Sequence, residues 1–321
     1  MKFRSRFGAG LETTRLGFGC SALLGPRSEE EALRLLSTVY NSGIRHFDTA
    51  PIYGYGEAEK VLGKFLQGRR DQVTVTTKFG IEPGITFPGH RFVLATVRKA
   101  MRLVKPIRRL VRKNAGQVMQ GGDFSVDKAK DSLDSSLTKL NTDYVDVFLL
   151  HDCSSEDVTE ELILFLDQAM SRGRIKLCGL GTSKHEIDRI VSRFPGLFKV
   201  LQYKYVDYED SGEETLVINH GIFDRLYWIY NKIKHDPELF SKWDNEIVEL
   251  DFNKVSVANL LMSRAYRHNE NRILLFSSTK NENILSNVLS ISKHSPANYA
   301  LEPFEDILEQ IYKKYSENSN S

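Results

Sequence analysis

Residues 47–63 read FDTAPIYGYGEAEKVLG, a short apolar run ending on Asp48, a turn carrying Tyr53, and an amphipathic stretch from Glu57 onward. Gly54 and Gly56 mark the turn, because glycine reaches positive φ without a Cβ clash. The acid is the unexpected part. A carboxylate closing a buried run needs a partner or an opening to solvent. Strand, loop and helix follow one another here, and the same unit recurs along the chain.

Short runs rich in Val, Ile, Leu and Phe stand at 16–18, 44–48, 73–79, 145–151, 175–179, 199–203, 215–219 and 272–276. That is the composition of strands buried on both faces. Helical patterns lie between them. SEEEALRLLSTVYNSG (28–43) has acids in its first turn and a glycine stop, which suits the helix dipole. SVDKAKDSLDSSLTKLN (125–141) starts on a Ser125 cap and spaces Val126, Ala129, Leu133, Leu137 and Leu140 along one face. TEELILFLDQAMSRG (159–173) and KHEIDRIVSRF (184–194) follow the same pattern. The alternation predicts a parallel sheet with right-handed crossovers, and eight repeats predict an α/β fold of the (β/α)8 TIM-barrel type. A doubly wound open sheet is the competing architecture, but no GxGxxG follows any strand.

No repeat or linker marks a second domain, so residues 1–321 read as a single barrel domain. Residues 81–124 read as a helical and loop insertion between the third and fourth strands. Within it, RFVLATVRKAMRLVKPIRRLVRK (91–113) holds nine Lys/Arg and no acid. Residues 315–321, ending in SENSNS, read as a disordered tail. The composition, 41% hydrophobic and 27% charged, is that of a globular protein. A net charge of +2 argues against a nucleic-acid binder. Cys20, Cys153 and Cys178 are widely spaced, which fits free thiols in a reducing compartment rather than a disulfide or zinc framework. No run is long and apolar enough for stable membrane insertion, and the basic N-terminal stretch lacks the apolar core of a signal peptide. A cytoplasmic location is expected.

Barrel enzymes carry their chemistry at the C-terminal ends of the strands. The second strand ends on Asp48, the third carries Lys78 and the fourth ends on His151, with Tyr53 on the loop after the second. Singly, each residue has a structural explanation as a cap, a snorkelling lysine, a core histidine or a packed aromatic. Together, on consecutive strand ends, they form a proton-transfer set. A phenol with an ordinary pKa near 10 needs help to exchange protons at neutral pH, and an adjacent ammonium supplies it. An Asp would hold that Lys charged, and a neutral His would orient a substrate oxygen. The set contains no evident nucleophile and no metal-ligand spacing. A bound hydride carrier would complete it.

The segments RLGFGC, HFDTAPIYGYGEAEKVLG, VTTKFG, DVFLLHD, IKLCGLGTSKHEI and LLFSSTKNENI, in this order across residues 7–287, resemble the aldo-keto reductase family, and its sugar and aldose dehydrogenase-like members in particular. The resemblance implies a barrel that binds a nicotinamide cofactor without a Rossmann motif. It implies Tyr53 as general acid/base, Asp48 and Lys78 as its tuning pair, and His151 as the carbonyl-orienting residue. For the cofactor it implies Gly19, Cys20 and Ser21 at the first strand end, with Asp48 beside them. Ser183 and Gln202 would meet the carboxamide, with Lys184 where the family usually has Asn. Asn219 falls where a stacking tyrosine is common, and His220, Gly221 and Ile222 would line the pyrophosphate. Ser278 and Thr279 would form the phosphate loop and Asn287 the adenine side. The basic residues that commonly grip a 2′-phosphate correspond to Ser277 and Asn283, leaving Lys280 as a substitute. NADP(H) is favoured, with NAD(H) open.

The expected partner is a small carbonyl or sugar substrate, made acidic or carrier-linked if the basic insertion docks it. The expected assembly is a monomer or weak oligomer. Asp152 is a candidate acceptor for a substrate hydroxyl, and also an ordinary solvated loop acid. The leading function is carbonyl–alcohol oxidoreduction. A cofactor-binding regulatory or scaffold subunit with the same barrel is the alternative, and a lyase or dehydratase using the same Tyr/Lys pair a minor one.

Overall fold

The computed structural model of the protein describes residues 4–6, 10–24, 28–82, 122–206, 215–268 and 271–315. A short antiparallel pair, β1 (Arg4–Arg6) and β2 (Glu12–Thr14), precedes the barrel strands. These are β3 (Leu16–Gly19), β4 (His46–Asp48), β5 (Thr74–Phe79), β6 (Val145–His151), β7 (Ile175–Gly181), β8 (Val200–Lys204), β9 (Leu216–His220) and β10 (Arg272–Phe276). All neighbours run parallel, and β10 pairs with both β3 and β9. The sheet therefore closes, and the open-sheet alternative is excluded. Each of the eight expected strands forms.

The chain divides into two compact units. The first comprises Met1–Lys204, Ser211–His220 and Asn271–Thr279 and holds the whole barrel. Its helices are α1 (Glu29–Asn41), α2 (Ala58–Leu66), α3 (Val126–Leu140), α4 (Glu160–Ser171) and α5 (Lys184–Arg193). Ser125, the cap expected from the sequence, holds the N-cap position of α3 without a side-chain hydrogen bond, whereas three other helices carry side-chain caps. Ser28 and Glu31 form a reciprocal capping box, Thr159 accepts from the amide of Leu162, and Ser183 accepts from the amide of Glu186. The second unit holds α6 (Leu226–His235), α7 (Pro237–Glu246), α8 (Lys254–His268), α9 (Asn281–Ser290), α10 (Pro296–Tyr299) and α11 (Leu301–Tyr315), gathered on a core that includes Trp243, Leu260, Phe304 and Ile307. Within it Asp236 caps α7 and accepts hydrogen bonds from Lys314 and Tyr315. Tyr315 thus ends a helix, and the expected tail from 316 on lies outside the described residues. So does the basic stretch 91–113.

Strand periodicity sets the barrel interior. Val147, Leu149, Val200, Leu216, Ile218, Ile273 and Leu275 point inward and pack with Leu11. On β4 and β5 the inward positions are polar instead. His46 is fully buried, with Nδ1 2.9 Å from Thr74 Oγ1 and Nε2 3.3 Å from Thr76 Oγ1. Thr74 in turn bonds Thr13 at 2.7 Å. Gly17 makes space for the imidazole, because a Cβ there would lie 2.8 Å from His46 Cδ2. This polar column leads up to Asp48 and Lys78 at the mouth.

The segment after Tyr53 is tied to the barrel by a second buried acid. Glu59 of α2 accepts from Thr77 Oγ1 and Ser136 Oγ, each at 2.7 Å, with Lys139 Nζ 3.6 Å away. Gly63, in the same helix, lets α2 approach the end of α3. A Cβ at Gly63 would stand 2.3 Å from the Lys139 carbonyl oxygen and 2.7 Å from the Leu140 carbonyl carbon.

Two outcomes follow from this packing. Gly63→Ala must push backbone against backbone, and overpacking of that kind costs about 1–3 kcal/mol; urea unfolding should show a lower midpoint, and an unchanged midpoint would refute the close approach. Burial lowers the His46 pKa from 6.5 to about 4. The unfolded chain therefore takes up a proton at higher pH than the folded one, so stability is lost as pH falls from about 6.5 toward 4. The loss approaches about 3 kcal/mol for a fully buried imidazole. His46→Gln should flatten the dependence of the unfolding midpoint on pH in that window; a slope equal to wild type would contradict it.

Candidate active site

The strand ends of the barrel bring four expected groups together. Asp48 ends β4 and Lys78 stands one residue before the end of β5, and the two residues are 3% and 1% exposed. Lys78 Nζ donates to Asp48 Oδ1 at 2.6 Å and to the Thr49 carbonyl at 3.1 Å. Asp48 Oδ2 accepts from Gln202 Nε2 at 2.7 Å. Both carboxylate oxygens are therefore used, which a buried charge requires.

Tyr53 opens a turn of 3-10 helix, Tyr53–Gly56, in which Gly54 has φ +59°. Its side chain folds back over the barrel. Lys78 Nζ lies 5.1 Å from the Tyr53 ring centroid, so its charge acts on the phenol. The Tyr53 and His151 rings meet edge to face, with centroids 6.2 Å apart and planes at 89°. His151, at the end of β6, has its Nδ1 buried without a hydrogen-bond partner among the described residues.

Electrostatics set the protonation states. Burial raises the Tyr53 pKa above its ordinary value, and Lys78 only partly offsets that effect. The phenol is thus held protonated at neutral pH, against the sequence expectation that the ammonium alone would lower its pKa. Burial by itself would discharge Lys78, but Asp48 and Tyr53 outweigh it and keep its pKa above normal. Burial, aided by the Lys78 charge, lowers the His151 pKa to about 3, so the ring is neutral.

The remaining expected residues divide. Gly19 and Cys20 sit at the end of β3, where Ser277 Oγ donates to the Gly19 carbonyl at 2.8 Å and the Cys20 thiol is fully buried. Ser21 is exposed next to them. Ser183 caps α5, and Lys184 pairs with Asp188 and lies 5.9 Å from the Tyr203 ring centroid. Gln202 faces inward, bonded to Asp48. Asn219 does not face the mouth. It alternates with inward-facing Ile218, and is fully buried with Nδ2 donating to the Tyr203 carbonyl and Oδ1 accepting from Arg272. His220, one residue on, takes the inward parity and is exposed at the strand end. Ser278 and Thr279 follow β10. Gly221, Ile222, Lys280, Asn283 and Asn287 belong to the second unit, where Asn283 is exposed and Asn287 buried on α9. Sequence reasoning missed the Gln202–Asp48 bond. The inward parity of β8 was the available signal for it, since Val200 and Gln202 share a face.

The donor set fits a nicotinamide. Gln202 commits its Nε2 to Asp48 and keeps Oε1 as an acceptor, while Ser183 Oγ accepts from a backbone amide and keeps its hydroxyl proton to donate. Such an acceptor and donor complement the two ends of a carboxamide.

Among characterised proteins, the chain is 27% identical over 186 residues to L-galactose dehydrogenase of Arabidopsis thaliana, covering 56% of this chain and 48% of that one. It is 31% identical over 183 residues to D-threo-aldose 1-dehydrogenase of a Pseudomonas species, covering 54% and 51%. The chain thus spans about half the length of the curated relatives it matches. Two solved structures share the fold. The holo form of aldo-keto reductase AKR11C1 from Bacillus halodurans superposes with a TM-score of 0.66 at 19% identity, covering 95% of each chain. Glycerol dehydrogenase AKR11B4 from Gluconobacter oxydans gives a TM-score of 0.67 at 17% identity, covering 98% and 97%. Residues 15–219, which run from β3 into β9 and include Asp48, Tyr53, Lys78, His151, Ser183 and Gln202, match the family model for the Aldo/keto reductase family, and the chain belongs to that family.

Proposed function

We propose that the protein interconverts a small carbonyl compound and its alcohol, with a nicotinamide cofactor as hydride carrier. The observation that carries this reading is the meeting of a protonated phenol, a buried ammonium–carboxylate pair and a neutral imidazole at one barrel mouth. When bound, the cofactor supplies or removes hydride at the carbonyl carbon. The chain's own residues manage the oxygen. In reduction, Tyr53 delivers its proton to the carbonyl oxygen as negative charge develops there. Lys78, whose Nζ lies beside the Tyr53 ring, stabilises the phenolate left behind, and Asp48 holds that ammonium charged and in place. With no acceptor near Nδ1, the His151 proton is better placed on Nε2, where it can donate to the substrate oxygen. In oxidation the same groups run in reverse, Tyr53 acting as base.

Ser183 and Gln202 are the residues suited to hold the carboxamide. His220, on the inward parity, takes over from Asn219 as the candidate ring beside it. NADP(H) is favoured over NAD(H), supported by a related Klebsiella pneumoniae aldo-keto reductase solved in complex with NADPH. Lys280 is the cation next to the phosphate loop. The relatives' names, an L-galactose dehydrogenase and a D-threo-aldose 1-dehydrogenase, support a sugar or polyol substrate. Three free, buried cysteines suit a reducing, cytoplasmic setting. No helix among the described residues is long and apolar enough to cross a membrane.

Tyr53→Phe removes the acid while keeping the ring. It should lower kcat for aldehyde reduction, followed by NADPH absorbance, by on the order of 10²–10⁴, with NADPH affinity within about twofold. Retained turnover would exclude Tyr53 as the acid. The pH profile carries a second expectation. With Tyr53 raised above 10.0 and His151 lowered to about 3, reductive kcat/KM should stay level from about pH 6 to about pH 9 and fall only as the phenol ionises above about pH 10. An alkaline limb centred below about pH 8 would contradict the burial argument.

A further inference from the structure

Glu59 lies in the first turn of α2, just after the turn that carries Tyr53, and is fully buried. Its larger buried neighbours on that helix are hydrocarbon: Val61, Leu62, Phe65 and Leu66, with the Phe65 ring against Phe47 of β4 at 5.6 Å between centroids. A carboxylate in such an interface carries a desolvation cost that a Leu or Met would not, so packing alone does not account for it. Apolar contact lets a helix slide over a sheet, whereas a hydrogen bond has a direction and fixes register.

What Glu59 fixes follows from strand parity. On β5, Thr76 turns inward with Oγ1 3.3 Å from His46 Nε2, Thr77 turns outward, and Lys78 turns inward again to Asp48. Thr77 Oγ1 donates to Glu59 Oε1 at 2.7 Å, and Ser136 Oγ of α3 donates to the same oxygen at 2.7 Å. Lys139 Nζ, 3.6 Å from Oε2, balances the charge. The helix that continues the Tyr53 turn is thus bonded to the residue immediately before Lys78. Lys78 is itself held by Asp48 and the Thr49 carbonyl. Tyr53 sits on a turn whose near end is β4 and whose far end, through Glu59, is anchored on β5.

We propose that Glu59 is a positioning residue for proton transfer, which sets the placement of Tyr53 against Lys78 from outside the mouth through its hydrogen bond to Thr77. The inference rests on the reductase reading above and adds to it a residue buried behind the barrel wall. A phenolate left by Tyr53 is stabilised by the ammonium in inverse proportion to their separation, so the register of turn and strand enters the barrier directly.

The test follows NADPH-dependent reduction of glyceraldehyde, with NADPH affinity from fluorescence titration and thermal unfolding to verify folding. Thr77→Val deletes the bond to β5, and Ser136→Ala deletes the bond to α3 on the same carboxylate oxygen, so the second variant controls for lost stability. Thr77→Val should lower kcat by about 10–100-fold with NADPH affinity within about twofold of wild type, and Ser136→Ala should keep kcat within about threefold. Glu59→Gln, which can keep both bonds through its amide oxygen, should also stay within about threefold. Thr77→Ala makes the same deletion if Thr77→Val does not fold. In a Tyr53→Phe background there is no phenol proton to deliver, so Thr77→Val should change the residual kcat by less than about twofold. A Thr77→Val kcat within about twofold of wild type, a comparable loss in Ser136→Ala, or the same loss repeated in the Tyr53→Phe background would overturn the positioning role while leaving the reductase reading intact. A wild type without NADPH-dependent turnover would overturn the reductase reading, and this inference with it.

Discussion

The buried ion pair between Lys78 and Asp48 is the interaction on which the rest of the site depends. Two charges this deep are tolerated only when their remaining hydrogen-bonding capacity is met. Asp48 takes Lys78 on one oxygen and Gln202 on the other, and Lys78 adds the Thr49 carbonyl and lies 5.1 Å from the Tyr53 ring centroid. Four elements, β4, β5, β8 and the Tyr53 turn, are thereby joined at one point. Removing one partner would strand a charge in the barrel, so the pair specifies the mouth as well as its electrostatics.

The pair also explains the polar layer beneath it. A barrel filled entirely with Val, Ile and Leu would meet the ion pair with hydrocarbon. Here His46, Thr74, Thr76 and Thr13 hydrogen-bond one another below it, and Gly17 makes space for the imidazole. The rest of the interior, Val147, Leu149, Val200, Leu216, Ile218, Ile273 and Leu275, remains apolar. Below the strand ends, the inward-facing His46, Thr74 and Thr76 gather on β4 and β5, the strands of Asp48 and Lys78.

Protonation states follow from burial more than from neighbouring charge. Tyr53 sits against an ammonium and still has a raised pKa, because losing water opposes phenolate formation more than Lys78 favours it. The same desolvation keeps His151 neutral. An acid that is protonated and a histidine that donates without carrying charge are what proton delivery to a carbonyl oxygen requires. In the proposed reaction, Lys78 is the charge beside the phenolate that proton transfer would leave.

Much of this was legible in the chain itself. Apolar runs of strand length, capped helices and ionisable strand ends were local patterns, and they specified eight strands, the closed barrel and the residues Asp48, Tyr53, Lys78 and His151. The Ser125 cap read from the sequence holds the N-cap position but makes no side-chain bond, while Ser28, Thr159 and Ser183 do cap the helices they precede. What sequence order could not state was which way a side chain faces across the wall. Asn219 aligned with a cofactor position, but strand parity turns it outward to Tyr203 and Arg272 and turns His220 in. Gln202 was legible as a polar strand residue, but its bond to Asp48 spans 154 positions. The net direction of the Tyr53 pKa was likewise beyond local reading, because desolvation depends on everything packed around the phenol. Local periodicity determined the elements and the chemistry at their ends; closure of the barrel decided burial, pairing and protonation, since those are properties of neighbours far apart in the chain.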